Sequence, residues 1–418
     1  MILTLLTNPI IISVVLMTLL CLFRFNVLLS LLISALVAGV FSHLELVDTM
    51  NILISGMKEN LKTALSYILL GAIAAAISKT NLTAYLIKIV SHFISHKKYL
   101  LLLSIALISC FSQNLIPIHV AFIPLLIPPL LSLFNKLKID RRAVACALTF
   151  GLTTPYMVLP VGFGLTFQDL LKDNLNANNV SASLNDVTNT MYFAAICMIA
   201  GLFLALFVFY RKPREYQEVE IAKVDLENLE MTRKEWGVLA GLVLTLILQI
   251  LTMNLPLSGL LGFVLDGLKM MGFIAFVILV AAGYGEVLKE SGSVVDLVNS
   301  VVPWMEQSKF LAVFFMLLIG LIITMGIGTS FGTIPIIATL FCPICLELGF
   351  STALIIFILG VAGALGDAGS PASETTMGTT VGLNADKQHD HIKDTCIPTF
   401  IFYNGPLLIL GSIIAMFL

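Results

Sequence analysis

Apolar runs of about twenty residues follow one another along nearly the whole chain, and that succession constrains the fold more than any motif. A helix needs ~20 residues to cross the ~30 Å hydrocarbon layer of a bilayer, and within that layer its backbone groups satisfy one another. Charged residues make up only 11% of the 418 positions, too few to clothe a soluble surface. The chain therefore reads as an all-α polytopic membrane protein with the lipid bilayer as its surroundings. A net charge of −2 gives no reason to expect a nucleic-acid partner. The seven cysteines fall mostly inside apolar runs, Cys342 and Cys345 among them, and read as small packing residues. No basic stretch precedes the apolar run at Met1, so the chain opens on a transmembrane helix rather than a cleaved signal.

In chain order, residues 2–23 and 25–41 are two spans parted only by Arg24, which makes them an antiparallel hairpin. Residues 45–62 put Leu46, Met50, Leu53, Ile54 and Met57 on one face and predict a helix lying in the interface. Residues 64–78, rich in Ala, span the membrane, and 79–98 are amphipathic again, with solvated His92 and His96. Between basic clusters at Lys97–Lys98 and Lys136–Arg142 lies an apolar segment interrupted by Ser112-Gln113-Asn114. If both clusters face the cytoplasm, the segment enters and leaves on one side, a re-entrant hairpin with that triplet at its tip. Two full spans joined on the far side are the alternative. A helix from Ala143 is then broken at Gly151-Leu-Thr153-Thr154-Pro155, with Pro160, Gly162 and Gly164 beyond it. Residues 170–187 read as an Asn-rich outer loop, 191–210 span back, and 211–235 form a charged cytoplasmic linker.

The pattern then repeats. Residues 236–253 and 255–268 are paired spans, 270–284 a small-residue helix, 286–308 amphipathic, and 309–348 a second hairpin with Gly326–Thr333 at its tip. Next an apolar run to Leu365 meets Gly366-Asp-Ala-Gly-Ser370-Pro-Ala-Ser373-Glu374. A carboxylate at membrane depth is costly unless partnered, so Asp367 and Glu374 are functional candidates. Gly366, Gly369 and Pro371 break the helix there and free backbone groups that can hold an ion. Residues 395–418 form the last span.

Each half holds five crossings and one hairpin, and an odd number of crossings inverts the second half relative to the first. The expected organisation is an N-terminal repeat over 1–210, a linker over 211–235 and an inverted C-terminal repeat over 236–418. With the linker inside, eighteen Lys and Arg fall on the cytoplasmic side, against five outside: Lys58, Lys62, Lys172, Lys289 and Lys309. Both termini are then extracytoplasmic and the hairpin tips meet near the midplane. That is the plan of an alternating-access transporter of the cytoplasmic membrane, not of an enzyme.

Gly366–Glu374, Gly382-Leu-Asn-Ala-Asp-Lys-Gln-His-Asp-His391, Ser112–His119 and Gly328–Thr333 resemble the bacterial Na⁺/H⁺ antiporter family of the ion-transporter superfamily. The resemblance covers essentially the whole chain. It implies two inverted repeats whose hairpin tips and broken helices bind Na⁺ and substrate, commonly in a homodimer. Some members that it resembles are taken to be amino-acid permeases, with histidine among the candidate substrates.

Na⁺ is a hard cation served by hydroxyls, amides and carbonyls without rigid geometry. Ser112, Asn114, Thr153 and Thr154 are candidates for one site, and Thr329, Ser330, Thr333, Asp367, Ser370 and Ser373 for its inverted counterpart, with Na⁺ as the coupling ion and no further cofactor. Asn114, Thr154, Ser330 and Asp367 are the foremost ligands among them. His119 reads as a neutral, hydrogen-bonded histidine, a proton-carrying role staying open. His389 and His391 read as a solvated cap on a cytoplasmic loop. Two function classes follow. In exchange, Asp367 or Glu374 binds H⁺ and Na⁺ by turns. In symport, Na⁺ fills those oxygens while an organic solute offers its carboxylate to Gln113, Asn114 and the helix N-termini.

Overall fold

The computed structural model describes residues 7–23, 25–58, 98–114, 123–217 and 257–418, with positions 61, 64, 65 and 68. At 111–114, 124, 125, 129, 257–264, 266, 267, 270 and 274 only the backbone is described. Among the described residues every regular element is a helix. Five helical stretches among the described residues are long and apolar enough to cross a membrane, or six if one bent pair is a single span. The chain is an all-α polytopic membrane protein.

Helices α1 (Pro9–Leu22) and α2 (Val27–Phe41) lie side by side. Asn8 and Asn26 cap them by accepting from the Ile10 and Leu28 N–H groups, which explains the break between two otherwise continuous apolar runs. Helix α3 (Leu46–Met57) buries Thr49, Leu53 and Gly56 and leaves Leu46, Val47 and Ile54 exposed, so it is packed on one side rather than lying free in the interface. The re-entrant candidate comprises α4 (Lys98–Asn114) and α5 (Ile123–Lys136); residues 115–122 between them lie outside the described residues.

Helices α6 (Arg141–Val158) and α7 (Phe163–Ala177) are bent by 47° at a short break. That break falls at 159–162, not at 151–155. Pro155 is accommodated inside α6, and the chain turns where Gly162 takes a φ of +57°. The expected outer loop over 170–187 is mostly helix, because Phe167, Leu171 and Leu175 recur every fourth residue on the buried side of α7. Helix α8 (Leu184–Phe203) starts at a Ser183–Asp186 capping box and continues in a wider turn to Phe209.

In the second half, α9 (Leu257–Glu290) is one helix of 34 residues where the sequence suggested two spans parted at Lys269. Leu268 and Lys269 sit exposed, and Leu, Lys and Met all propagate a helix well, so a single cation does not interrupt it. The expected span at 236–253 lies outside the described residues. Then follow α10 (Ser293–Met305), α11 (Lys309–Ile327), α12 (Ser330–Glu347), α13 (Thr352–Ala364), α14 (Glu374–Leu383) and α15, the helical run His391–Phe417.

Helix α4 lies on α6 and α11 on α13, while α5 meets α14 of the other half and α12 packs on α13 as well as on α7 of the other half. Helices α6 and α13 are buried on nearly every face and so occupy the centre. The peripheral helices instead turn Phe23, Phe203, Phe209 and Ile409 outward, the composition expected of a lipid-facing surface.

Residues 211–217 are held against the protein. Arg214 pairs with Asp394 at 2.8 Å, and Gln217 exchanges hydrogen bonds with Gln388. Arg141, which the sequence enrols in a basic cluster, is completely buried and forks onto Asp386 with two bonds of 2.6 Å. It also donates to the Leu383 carbonyl and Asn135 and stacks 4.2 Å from the Tyr216 ring. Burial alone would raise the Asp386 carboxyl, but the Arg141 guanidinium outweighs it and holds Asp386 below its ordinary range.

Candidate functional site

Helix α13 stops because Gly366 takes a φ of +93°, a conformation that favours glycine, with backbone of Leu321 and Met325 against it. Each backbone group freed by the break then needs a partner. Gly366 N–H donates to Asn404 Oδ1 at 3.2 Å, Thr376 Oγ1 donates to the Ser370 carbonyl at 2.6 Å, and His391 Nε2 donates to the Pro371 carbonyl at 2.9 Å. Ser370 Oγ ties the break to α11 through the Met325 carbonyl at 3.0 Å. Ser373 caps α14, accepting from Thr376 N–H.

The tip between α11 and α12 turns at Gly328, φ +75°, and Thr329 caps α12. Thr333 Oγ1 donates to the Thr329 carbonyl at 3.0 Å and accepts from Thr324 Oγ1 at 3.1 Å. Thr324 Oγ1 also lies 3.4 and 3.5 Å from the carbonyls of Ala362 and Gly363.

Tyr156 of α6 reaches into the space between tip and break. Its hydroxyl donates to Asp367 Oδ2 at 2.9 Å and lies 2.9 Å from Ser330 Oγ. Because the phenol proton goes to the carboxylate, Ser330 is the donor in the second bond. Phe163 and Phe167 meet the Tyr156 ring edge-on at centroid distances of 5.9 and 5.0 Å. A cavity of about 30 Å³ remains among Tyr156, Phe163, Gly328, Thr329, Ser330, Phe331, Asp367, Glu374 and Thr375. It has room for one or two waters or one dehydrated ion. The N-termini of α12 and α14 both open onto it, so partial positive charge stands beside the two carboxylates.

Thr329, Ser330, Asp367 and Glu374 thus come together at one cavity. Thr333, Ser370 and Ser373 lie behind it, their hydroxyls engaged in holding tip and break. Thr153 and Thr154 are buried inside α6 with hydroxyls that have no partner among the described residues, and neither lines this cavity. Ser112, Gln113 and Asn114 end α4, but their side chains, like the whole of His119, lie outside the described residues. Tyr156, Thr324 and Asn404 were not anticipated. The signal for Tyr156 was a phenol in an apolar helix one residue after Pro155, where a buried hydroxyl demands a partner.

The expectation of solvated histidines fails. His389 is only 3% exposed, His391 is partly buried, and both are hydrogen-bonded to threonines of α14 and α15. Burial pushes the His389 ring well below its ordinary range. Among the described residues no three His, Cys, Asp or Glu side chains converge as a metal site.

Two profiles, both described as Na⁺/H⁺ antiporter family, match the chain, one at residues 147–265 and 232–412 and the other at residues 8–94. An uncharacterized membrane protein of Vibrio parahaemolyticus is 45% identical over 98% of this chain and 100% of its own length. One of Haemophilus influenzae is 44% identical over 99% and 100%. A Bacillus subtilis relative named "Putative amino acid transporter YuiF" is 43% identical over 98% and 100%. The chain belongs to the Na⁺/H⁺ antiporter family of multi-pass membrane proteins.

Proposed function

We propose that this protein exchanges Na⁺ for H⁺ at Asp367, by alternating access between two inverted repeats, residues 1–210 and 236–418, joined by the cytoplasmic linker 211–235. The observation that carries the reading is the convergence of Asp367, Tyr156 and Ser330 on a cavity of single-ion size. Na⁺ would take oxygens from Asp367, Ser330 and Tyr156, with Thr329 and Glu374 at the rim. When the carboxyl carries a proton instead, it has no charge to offer the ion, so one group cannot hold both and the two fluxes are coupled. Tyr156 comes from the first half and Asp367 from the second, so relative movement of the halves would remake the site.

The packing of α5 on α14 and of α12 on α7 supports the repeat, and the cation distribution supports a cytoplasmic-membrane protein. Free amino acids need far more room than about 30 Å³, since organic ligands occupy pockets of roughly 300 Å³ or more. The test is reconstitution into liposomes. An imposed Na⁺ gradient should generate a pH gradient with no other solute present. Absence of that gradient, together with Na⁺-dependent uptake of labelled histidine, would replace exchange by permease activity, the reading suggested by the name of the B. subtilis relative.

A further inference from the structure

The cavity at Asp367 is walled on one side by two phenyl rings. Phe163 and Phe331 both line it, with ring centroids 4.9 Å apart, and Phe163 also meets the Tyr156 ring. Tyr156 and Phe167 are 2% and 0% exposed, whereas Phe163 and Phe331 are partly exposed. Leu159 and Val161 of the adjoining break are exposed as well, so the surroundings begin directly behind the ring pair and the wall is one ring thick.

The two rings sit at equivalent places in the two halves. Phe163 is the first residue of α7 and follows Gly162 at the break, while Phe331 is the second residue of α12 and lies three beyond Gly328 at the tip. Both glycines take a positive φ, and both helices start beside the cavity and lead away from it. In the proposed topology α7 and α12 run to the extracytoplasmic side, so parting them opens the cavity outward. A rotation about 159–162, where the chain already bends by 47°, would swing the Phe163 ring off Phe331.

We propose that Phe163 and Phe331 form the outer gate of the ion cavity and set the size of cation it admits. This rests on the Na⁺/H⁺ exchange reading and the topology above. While the rings touch, the cavity keeps to about 30 Å³, and the oxygens of Asp367, Ser330 and Tyr156 must replace the hydration shell of the ion. A larger K⁺ needs a wider ring of oxygens, which the phenyl wall resists. An ion leaving between two phenyl rings meets their negative faces, which favour a cation over an anion.

The test reads entry separately from transport. Thr375 lines the cavity and is 5% exposed, so Thr375→Cys places a thiol behind the gate. A small cationic methanethiosulfonate is added outside right-side-out membrane vesicles, and labelling is counted above that of the parent, whose own cysteines are buried or partly buried. Added to Thr375→Cys, Phe163→Ala or Phe331→Ala should speed labelling at least about tenfold. Leu at either position, which thins the wall without emptying it, should fall between, and Tyr, which keeps the ring, should label like Thr375→Cys alone. The contrast of Leu with Tyr remains readable if an Ala variant fails to fold. In liposomes the Ala and Leu variants should let K⁺ as well as Na⁺ drive a pH gradient. Equal labelling across the series, or an equal rise with Tyr, overturns the gate, and faster labelling with K⁺ still refused overturns its part in selectivity. Failure of the exchange reading alone looks different: the parent moves no protons against Na⁺ while the labelling order persists.

Discussion

Tyr156 donates a 2.9 Å hydrogen bond to Asp367 across 211 residues of sequence, joining α6 in the first half to the break in the second. A hydrogen bond to a charged group contributes ~1.5–3 kcal/mol. Tyr156→Phe keeps the ring packed on Phe163 and Phe167 but removes the hydroxyl from both Asp367 and Ser330. Apparent KM for Na⁺ should rise by about tenfold or more, equivalent to ~1.4 kcal/mol, at unchanged membrane abundance. Na⁺ kinetics in proteoliposomes check this, and an unaltered KM would remove the phenol from the site.

Arg141 and Asp386 form an ion pair whose side chains are 0% and 1% exposed. Asp386→Asn leaves a buried guanidinium without its counter-charge and should cost ~3–5 kcal/mol of stability. Replacing both partners, Arg141→Met with Asp386→Leu, should recover most of it. Thermal unfolding in detergent measures both variants, and a single variant as stable as the parent would contradict the pairing.

Acid should destabilise the fold in two stages. The unfolded chain's histidine takes up a proton near ~6.5, whereas folded His389 resists protonation down to about 4. The unfolded state therefore binds more protons in that window, and stability falls as pH drops through it. Asp386 is held below the unfolded value of ~3.9, so its contribution is present above that pH and is lost as pH falls further. Melting temperature against pH should show the upper stage shrink in His389→Gln and the lower one shrink in Asp386→Asn. Both stages undiminished in both variants would assign the acid response to other groups.

Asn404 Oδ1 is the acceptor for the Gly366 N–H exposed by the break. Asn404→Leu strands that buried donor at a cost of ~1–3 kcal/mol, offset in part because Asn404 Nδ2 has no partner among the described residues to lose. A fall in melting temperature together with slower transport is expected. Unchanged stability would show that the break satisfies its backbone without Asn404.

The break at Gly366–Ser373 was legible because an acid, two glycines and a proline after an apolar run leave few alternatives, and the tip at Gly328–Thr329 was legible for the same reason. The first break was misplaced by several residues, since Gly151 and Pro155 look disruptive in sequence but are absorbed into α6, whose every neighbour is protein. Lys269 was read as a loop when it is an exposed position on a long helix. The partners were least legible. Tyr156 to Asp367 and Arg141 to Asp386 join residues 211 and 245 positions apart, and no local periodicity marks such pairs. The histidines were misread because a polar loop of aspartates looks solvated until α14 and α15 are seen to close over it.

Asp367→Asn preserves the size of the coupling carboxyl and much of its hydrogen bonding but can neither release a proton nor carry charge. The decisive measurement is the pH gradient generated by an imposed Na⁺ gradient in liposomes holding matched amounts of the parent, Asp367→Asn and Glu374→Gln proteins. Exchange at Asp367 predicts a gradient in the parent, none in Asp367→Asn and a reduced but present one in Glu374→Gln. Parent-like proton flux in Asp367→Asn would contradict the assignment, and a loss confined to Glu374→Gln would move the coupling role to Glu374.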